Sequence, residues 1–425
     1  MWIYSELAVM LRWGMIWHMT DAIPDPQSTQ SVFAGREKIF SRIQQTILDP
    51  PAKHALLFTG HDGIGKTALL QQAQHVFSDP ILCVFIALTE DMTESDILEQ
   101  LIDATNFMLS EHEFSLARVP EIADDSPLSL RDWMRDVYLS TVITIIRPHR
   151  HLVWLIDDAH LVLNNAPEFL LYMDSLLADY PQLTIILSAS TDYDNRLQEF
   201  APLIDPTAAE RIRRLTHDES AILLRQLAPG ASEAAIEKVC TLTGGHPQLL
   251  QAYGKAMNAD FTHSSDVTDV QKVTPRVYTS VKDLFRDAWG HLNRNERLTL
   301  TAIASLLYDD PLKSVSSQNL ATWLVQNDYP MDIVGVHAAL RGLDYRDIVA
   351  HQEDGSIKLL AGLMQSWLLE NALLDEDNNQ SIFQLRWWML ALAILIIVIL
   401  LILATQAPQL VNPLPEAAPT ITLSP

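Results

Sequence analysis

Apolar residues gather in four short runs along the first half of the chain: 55–58 (ALLF), 81–88 (ILCVFIAL), 152–158 (LVWLIDD) and 183–190 (LTIILSAS). Runs of this length without polar alternation predict strands covered on both faces, as in a parallel sheet between helical layers. A shorter stretch, 211–215, is a candidate fifth strand. Helical spacing fills the gaps. One run ends at 48, another covers 68–73, and 94–109 and 128–146 flank an acidic loop around Asp124-Asp125. Strands alternating with helices predict the α/β class and a three-layer α/β/α domain with a parallel sheet.

The texture changes after 216. Amphipathic helices are expected at 217–227 and 231–242, and Gly244-Gly245-His246-Pro247 interrupts the chain before a third at 248–257. These make a small helical lid over 216–258. The polar stretch 259–280 reads as a linker. Helices are then expected at 281–292, 295–307, 317–327 and 331–346. Segments 348–351 and 356–360 flank Asp354-Gly355, a strong hairpin turn pair. Helices followed by a hairpin predict a winged-helix domain over 281–374.

The first strand leads into Gly60-His61-Asp62-Gly63-Ile64-Gly65-Lys66-Thr67, followed by Ala68 and a helix. This is the pattern G-x-x-x-x-G-K-[ST] in its required strand-to-helix setting. Glycines at 60, 63 and 65 let the backbone approach phosphate oxygens closely. The loop N–H groups and the positive end of the helix then face the anion. Lys66 brings a point charge to the β- and γ-phosphates, and the Thr67 hydroxyl suits Mg²⁺. ATP or ADP with Mg²⁺ is the expected ligand, and 32–215 is the P-loop ATPase core. Asp157, at the end of the third strand, is placed to hold the Mg²⁺ shell. Asp158 is the candidate base for the attacking water, one methylene shorter than the Glu common at this position. Ser188 and Ser190 end the fourth strand, where a hydroxyl can sense the γ-phosphate, although serines are also common at strand ends. Arg211, Arg213 and Arg214 either reach phosphates or flank a strand.

The chain has 425 residues and a net charge of −24, enough length for two or three cores and a balance that repels nucleic acid at long range. The winged-helix segment has eight basic residues against twelve acidic ones. Its candidate recognition helix, 331–346, sets only Arg341 and Arg346 against Asp332 and Asp344. A phosphate-contacting surface needs several unpaired cations, so the segment is expected to pack on protein and to clamp the nucleotide domain rather than bind DNA. Cys83 and Cys240 have no metal or redox spacing and read as buried apolar fillers.

Residues 387–404 read WWMLALAILIIVILLILA, without charge. Eighteen helical residues span roughly 27 Å, close to a hydrocarbon core. Two tryptophans and Arg386 mark one end. A single C-terminal transmembrane helix is expected, after a juxtamembrane linker at 375–386. Because ATP is cytoplasmic, the ATPase domain should lie inside a cytoplasmic membrane and the Pro-rich tail, 405–425, outside. The segment 1–31 ends in a polar linker. Its first part is rich in Trp and Met but is interrupted by Glu6 and Arg12. Two readings stay open for it: an interfacial helix, or a true start at Met15 or Met19.

Phe33-Ala34-Gly35-Arg36-Glu37, the loop at 60–67, Leu155-Ile156-Asp157-Asp158-Ala159-His160 and Gly244-Gly245-His246-Pro247 follow one another in an order that resembles STAND and related AAA-type ATPases with an ORC-like core. The resemblance covers about 32–258 and more loosely 281–371. It implies that Phe33 and Arg36 lie near the adenine, that Ser190 ends the sensor strand, and that Pro247 sits beside the nucleotide. No arginine follows the sensor strand and no sensor arginine follows Pro247, which points away from a fast ring motor. The expected function is a membrane-anchored nucleotide switch with protein partners and a homo-oligomer as a candidate state. The alternatives are an energy-supplying ATPase of a secretion-like membrane assembly and a scaffold stabilised by nucleotide without hydrolysis.

Overall fold

The apolar runs build the sheet because each can bury both faces. In the computed structural model, β1 (Ala55–Gly60), β2 (Leu82–Ala87), β3 (Leu152–Asp157), β4 (Leu183–Ser190) and β5 (Glu210–Arg211) form one parallel sheet in the order β2-β3-β4-β1-β5. Residues 33–48, 55–77, 81–121, 129–146, 151–205, 207, 209–260, 266–310, 313–329 and 331–371 are described. The segment 1–31, the loop at Asp124-Asp125, the juxtamembrane linker, the apolar stretch 387–404 and the tail lie outside them. Among the described residues, no helix is long and apolar enough to cross a membrane. The chain divides into two compact units, 1–367 and 368–425, and the fold and site below belong to the first.

Side-chain alternation along the strands divides the core in two. Leu152, Trp154 and Ile156 face a layer made by α3 (Glu94–Glu111), the helical stretch 130–146 and α7 (Phe169–Asp179). Val153 and Leu155 face α1 (Glu37–Leu48) and α2 (Lys66–Val76). The stretch 130–146 runs as α4 (Leu130–Trp133), a π-helical turn (Met134–Leu139) and α5 (Ser140–Ile146), and α6 (Val162–Asn165) follows β3. This is the three-layer α/β arrangement with a parallel sheet that the sequence predicts.

Beyond the sheet come α8 (His217–Leu227), α9 (Glu233–Thr243) and α10 (Pro247–Asp260). The expected linker at 259–280 is not a linker where it is described: Val267–Gly290 is one helix, α11. Val270, Val273, Val277, Val281 and Phe285 are buried at helical spacing, while its exposed positions are mostly polar. An Asp266–Asp269 capping box starts it, and Pro275 lies inside it. A polar outer face hid an element whose narrow apolar stripe needed α9 and α10 to cover it. Three further helices, α12 (Arg294–Leu306), α13 (Ser317–Gln326) and α14 (Ile333–Tyr345), precede β7 (Val349–His351) and β8 (Ile357–Leu359). These two strands join β6 (Ser314–Val315), which the sequence did not suggest, in an antiparallel sheet of order β6-β8-β7. Helix α15 (Gly362–Asn371) follows. Cys83 and Cys240 are free and buried.

Candidate nucleotide and active site

The P-loop turns on two glycines in the left-handed region, Gly63 at φ 69° and Gly65 at φ 94°. Gly63 also lies against the lid: an added Cβ would stand 2.0 Å from Gln248 Oε1, and the Gln248 N–H donates to the Gly63 carbonyl at 3.3 Å. Lys66 opens α2 and is buried. Its ammonium donates to the carbonyls of Gly60 at 2.9 Å and His61 at 3.3 Å, and Asp62 Oδ1 lies 3.6 Å away.

The paired strands bring the acids to this loop. Asp157 is buried at the end of β3 and accepts from the Thr67 hydroxyl at 2.5 Å and from the Ser188 hydroxyl. Ser188 Oγ in turn accepts the Asp158 N–H at 3.2 Å. These oxygens are hard donors of the kind Mg²⁺ prefers. Among the described residues no group of three or more His, Cys, Asp or Glu is placed to hold a metal ion.

Asp158 is half-buried with φ 55°, a conformation that Asp tolerates better than most residues but at some strain. Burial, then the neighbouring Asp157 charge, raises its carboxyl above the usual carboxylate range. His160 approaches it at 3.9 Å. Burial lowers the pKa of that ring, and its Nδ1 accepts the Ser190 N–H at 3.3 Å, so this nitrogen offers Asp158 no proton. A cleft lined by Asp62, Gly63, Gly65, Lys66, Thr67, Ala68 and Asp158 is closed on the lid side by Pro247, Gln248 and Gln251.

Other expected site residues are placed elsewhere. Ile64 is buried in the sheet-and-α1 core. Phe33 packs edge-on against Phe40 at 5.5 Å. Arg36 donates its side chain to the Ile64 carbonyl at 3.3 Å and its N–H to Glu219 of α8 at 3.1 Å, so it ties the loop to the lid. Ser190 pairs in register with Gly60, and its hydroxyl caps the 3₁₀ segment Thr191–Phe200 by accepting the Asp192 N–H at 3.3 Å. Ser188 is the serine at the acid. The His61 side chain turns away from the cleft toward Thr191 and Arg211. Gln248, Gln251, Glu219 and His160 were not foreseen. For the two glutamines the available signal was their place in the first turns after the Gly-Gly-His-Pro break.

Residues 52–197 match a protein family described as an AAA domain. The whole fold is similar to that of a Walker-type ATPase of Pyrococcus abyssi, with a TM-score of 0.57 and 16% identity over 79% of this chain and 96% of that one. Looser likenesses include Cdc6p of Pyrobaculum aerophilum, at 0.41 and 16% identity over 82% and 98% of the two chains. Another is a STAND protein with a tetratricopeptide repeat sensor from Pyrococcus horikoshii, at 0.34 and 16% over 81% and 44%. No curated protein sequence matches the chain. The fold argument rests on the first structure alone. Together with the P-loop and the acids, the family match makes 52–197 an AAA-type ATPase domain and the chain a nucleotide-dependent ATPase.

Proposed function

We propose that this ATPase works as a regulatory switch whose winged helix clamps the nucleotide domain in a closed form. The observation that carries the reading is the docking of 345–347 on the core. Tyr345 OH donates to Asp194, Arg346 reaches Asp192 at 3.0 Å, and Asp347 reaches Arg211 at 3.4 Å and Arg213 at 3.6 Å. His291, at the end of α11, adds a contact to Asp192 at 3.4 Å. Asp192 and Asp194 directly follow the strand that ends in Ser190, so one surface touches both the sensor strand and the winged helix. A ligand with different affinity for closed and open forms shifts the population between them. Arg346 of the candidate recognition helix is spent on the core, which supports a protein-packing role over a nucleic-acid one.

In this reading Lys66 binds the β- and γ-phosphates, and Gly63 and Gly65 let the loop backbone close on them. Thr67 and Asp157 would hold Mg²⁺, which when bound neutralises charge on the phosphate oxygens. Asp158 takes the proton of the attacking water at a carboxylate oxygen. Its strained backbone and short side chain support slow turnover, and they keep a weakly hydrolysing scaffold as the second reading. The stretch 387–404 would anchor the switch at the inner face of a cytoplasmic membrane.

Three measurements test this. Lys66→Ala should weaken ATP binding on the order of 100-fold, and unchanged binding would remove the P-loop assignment. Single-turnover hydrolysis separates a slow switch from a scaffold: cleavage that is absent, and not merely slow, favours the scaffold. Deletion of 387–404 should move the chain from the membrane to the soluble fraction of cells.

A further inference from the structure

The arginines after β4 have an arrangement that nucleotide binding alone does not use. The Arg211 guanidinium lies over the Tyr345 ring at 4.2 Å, and one of its nitrogens donates to the Tyr345 carbonyl and to His61 Nε2 at 2.8 Å. Asp347 Oδ2 is 3.4 Å from the same nitrogen. Because Nε2 accepts, the His61 proton is on Nδ1 and is donated to Thr191 Oγ1 at 2.6 Å. The His61 carbonyl accepts the Lys66 ammonium. An unbroken chain of polar contacts therefore runs from Asp347 and Tyr345, through Arg211 and His61, to the catalytic lysine and to the end of the sensor strand.

We propose that Arg211 is a positioning residue that transmits winged-helix docking to the P-loop, with His61 as its receiver. The proposal rests on the winged helix acting as a clamp. Arg211 and Asp347 are both mostly buried, and among the described residues the Arg211 Nε finds no hydrogen-bond partner. Buried, incompletely satisfied ion pairs contribute little net stability, but removing one member leaves the other uncompensated. Such a contact suits a register pin better than an adhesive. While the winged helix is docked, the pin fixes the ring of His61 and so the loop carbonyl that holds Lys66. When it leaves, Arg211 loses the aromatic face, the carbonyl and the carboxylate together, and the loop is free to release its nucleotide.

The test is the dissociation rate of fluorescently labelled ADP from the full chain. Arg211→Ala, Asp347→Asn and His61→Ala should each speed release at least tenfold, and the Arg211→Ala/Asp347→Asn pair should be no faster than either alone. His61→Gln should restore slow release, because an amide can accept from Arg211 and donate to Thr191, whereas His61→Leu, which fills the space but does neither, should release as fast as His61→Ala. Asp347→Asn, nearly isosteric, carries the test if Arg211→Ala fails to fold. Arg346→Ala, which touches Asp192 and not Arg211, separates the two readings. If it speeds release while a folded Arg211→Ala does not, the clamp stands and the assignment of Arg211 falls. If no variant changes release, the clamp falls with it.

Discussion

The phosphate end of the cleft and the interface with the proposed winged helix differ in how they are built. At the phosphate end the working parts are backbone groups and side chains within eight consecutive residues, joined by two acids and a serine at strand ends. Their geometry is fixed by β1, β3 and β4, which are buried along their whole length. At the interface, the working parts are single side chains from β5, the 3₁₀ segment and α14, more than 130 residues apart in sequence. They meet in partly buried ion pairs and one stacked arginine. The first region is rigid scaffold around a charge-binding loop. The second holds charges whose desolvation nearly offsets their attraction. The proposed switch, binding phosphate in every state and docking a domain in only one, would use this contrast.

The contrast predicts unequal responses to mutation. The largest is at the scaffolded end. Lys66→Ala should weaken ATP binding by about 3 kcal/mol, on the order of 100-fold, because a buried charge partner is lost. A calorimetric affinity within threefold of the parent would break the assignment. Asp158→Asn should lower kcat roughly 100-fold with little change in affinity, as expected for a general base. An equal loss in binding would instead make Asp158 a ligand of the nucleotide complex.

The interface should respond less. Gly244 has φ 56°, and a Cβ there would stand 1.9 Å from the Leu360 carbonyl of the winged helix. Gly244→Ala should cost about 2 kcal/mol, seen as a lower midpoint in urea. An unchanged midpoint would mean that the lid and the winged helix do not share one cooperative unit.

How much of each region was legible follows from the same physics. The strands stood out because burial on both faces leaves uninterrupted apolar runs, and the loop stood out because phosphate binding demands glycine at fixed spacing. Ser188 and Ser190, two residues apart, point from the same face of β4 and differ only in how far along it they sit. The sequence named both, and the register of β3 against β4 decides that Ser188 meets the acid. The first half of helix α11, 267–280, was taken for a linker because of its polar face and Pro275, although Asp266 and Asp269 already announced a capped helix start. The partners of Arg211 had no local signal at all: no spacing rule ties residue 211 to 345 or 347.

The smallest predicted effect is also the most diagnostic of the interface. Burial, then the Arg211 charge, lowers the His61 imidazole from its ordinary 6.5 to about 4; Arg346 and Lys66 push in the same direction and Asp192 opposes them. The folded, docked form therefore binds the His61 proton more weakly than the unfolded chain does. Its contribution to stability is complete above about pH 6.5 and is lost as pH falls toward 4. At pH 5.5 the loss is about 1 kcal/mol. Lowering pH from 7.5 to 5.5 should therefore reduce the thermal midpoint and speed ADP release. His61→Gln, which cannot titrate, should remove that part of the pH dependence. Identical pH profiles for the two proteins would mean that His61 keeps its proton equilibrium when the winged helix docks, and that the ring is not held by Arg211 in solution.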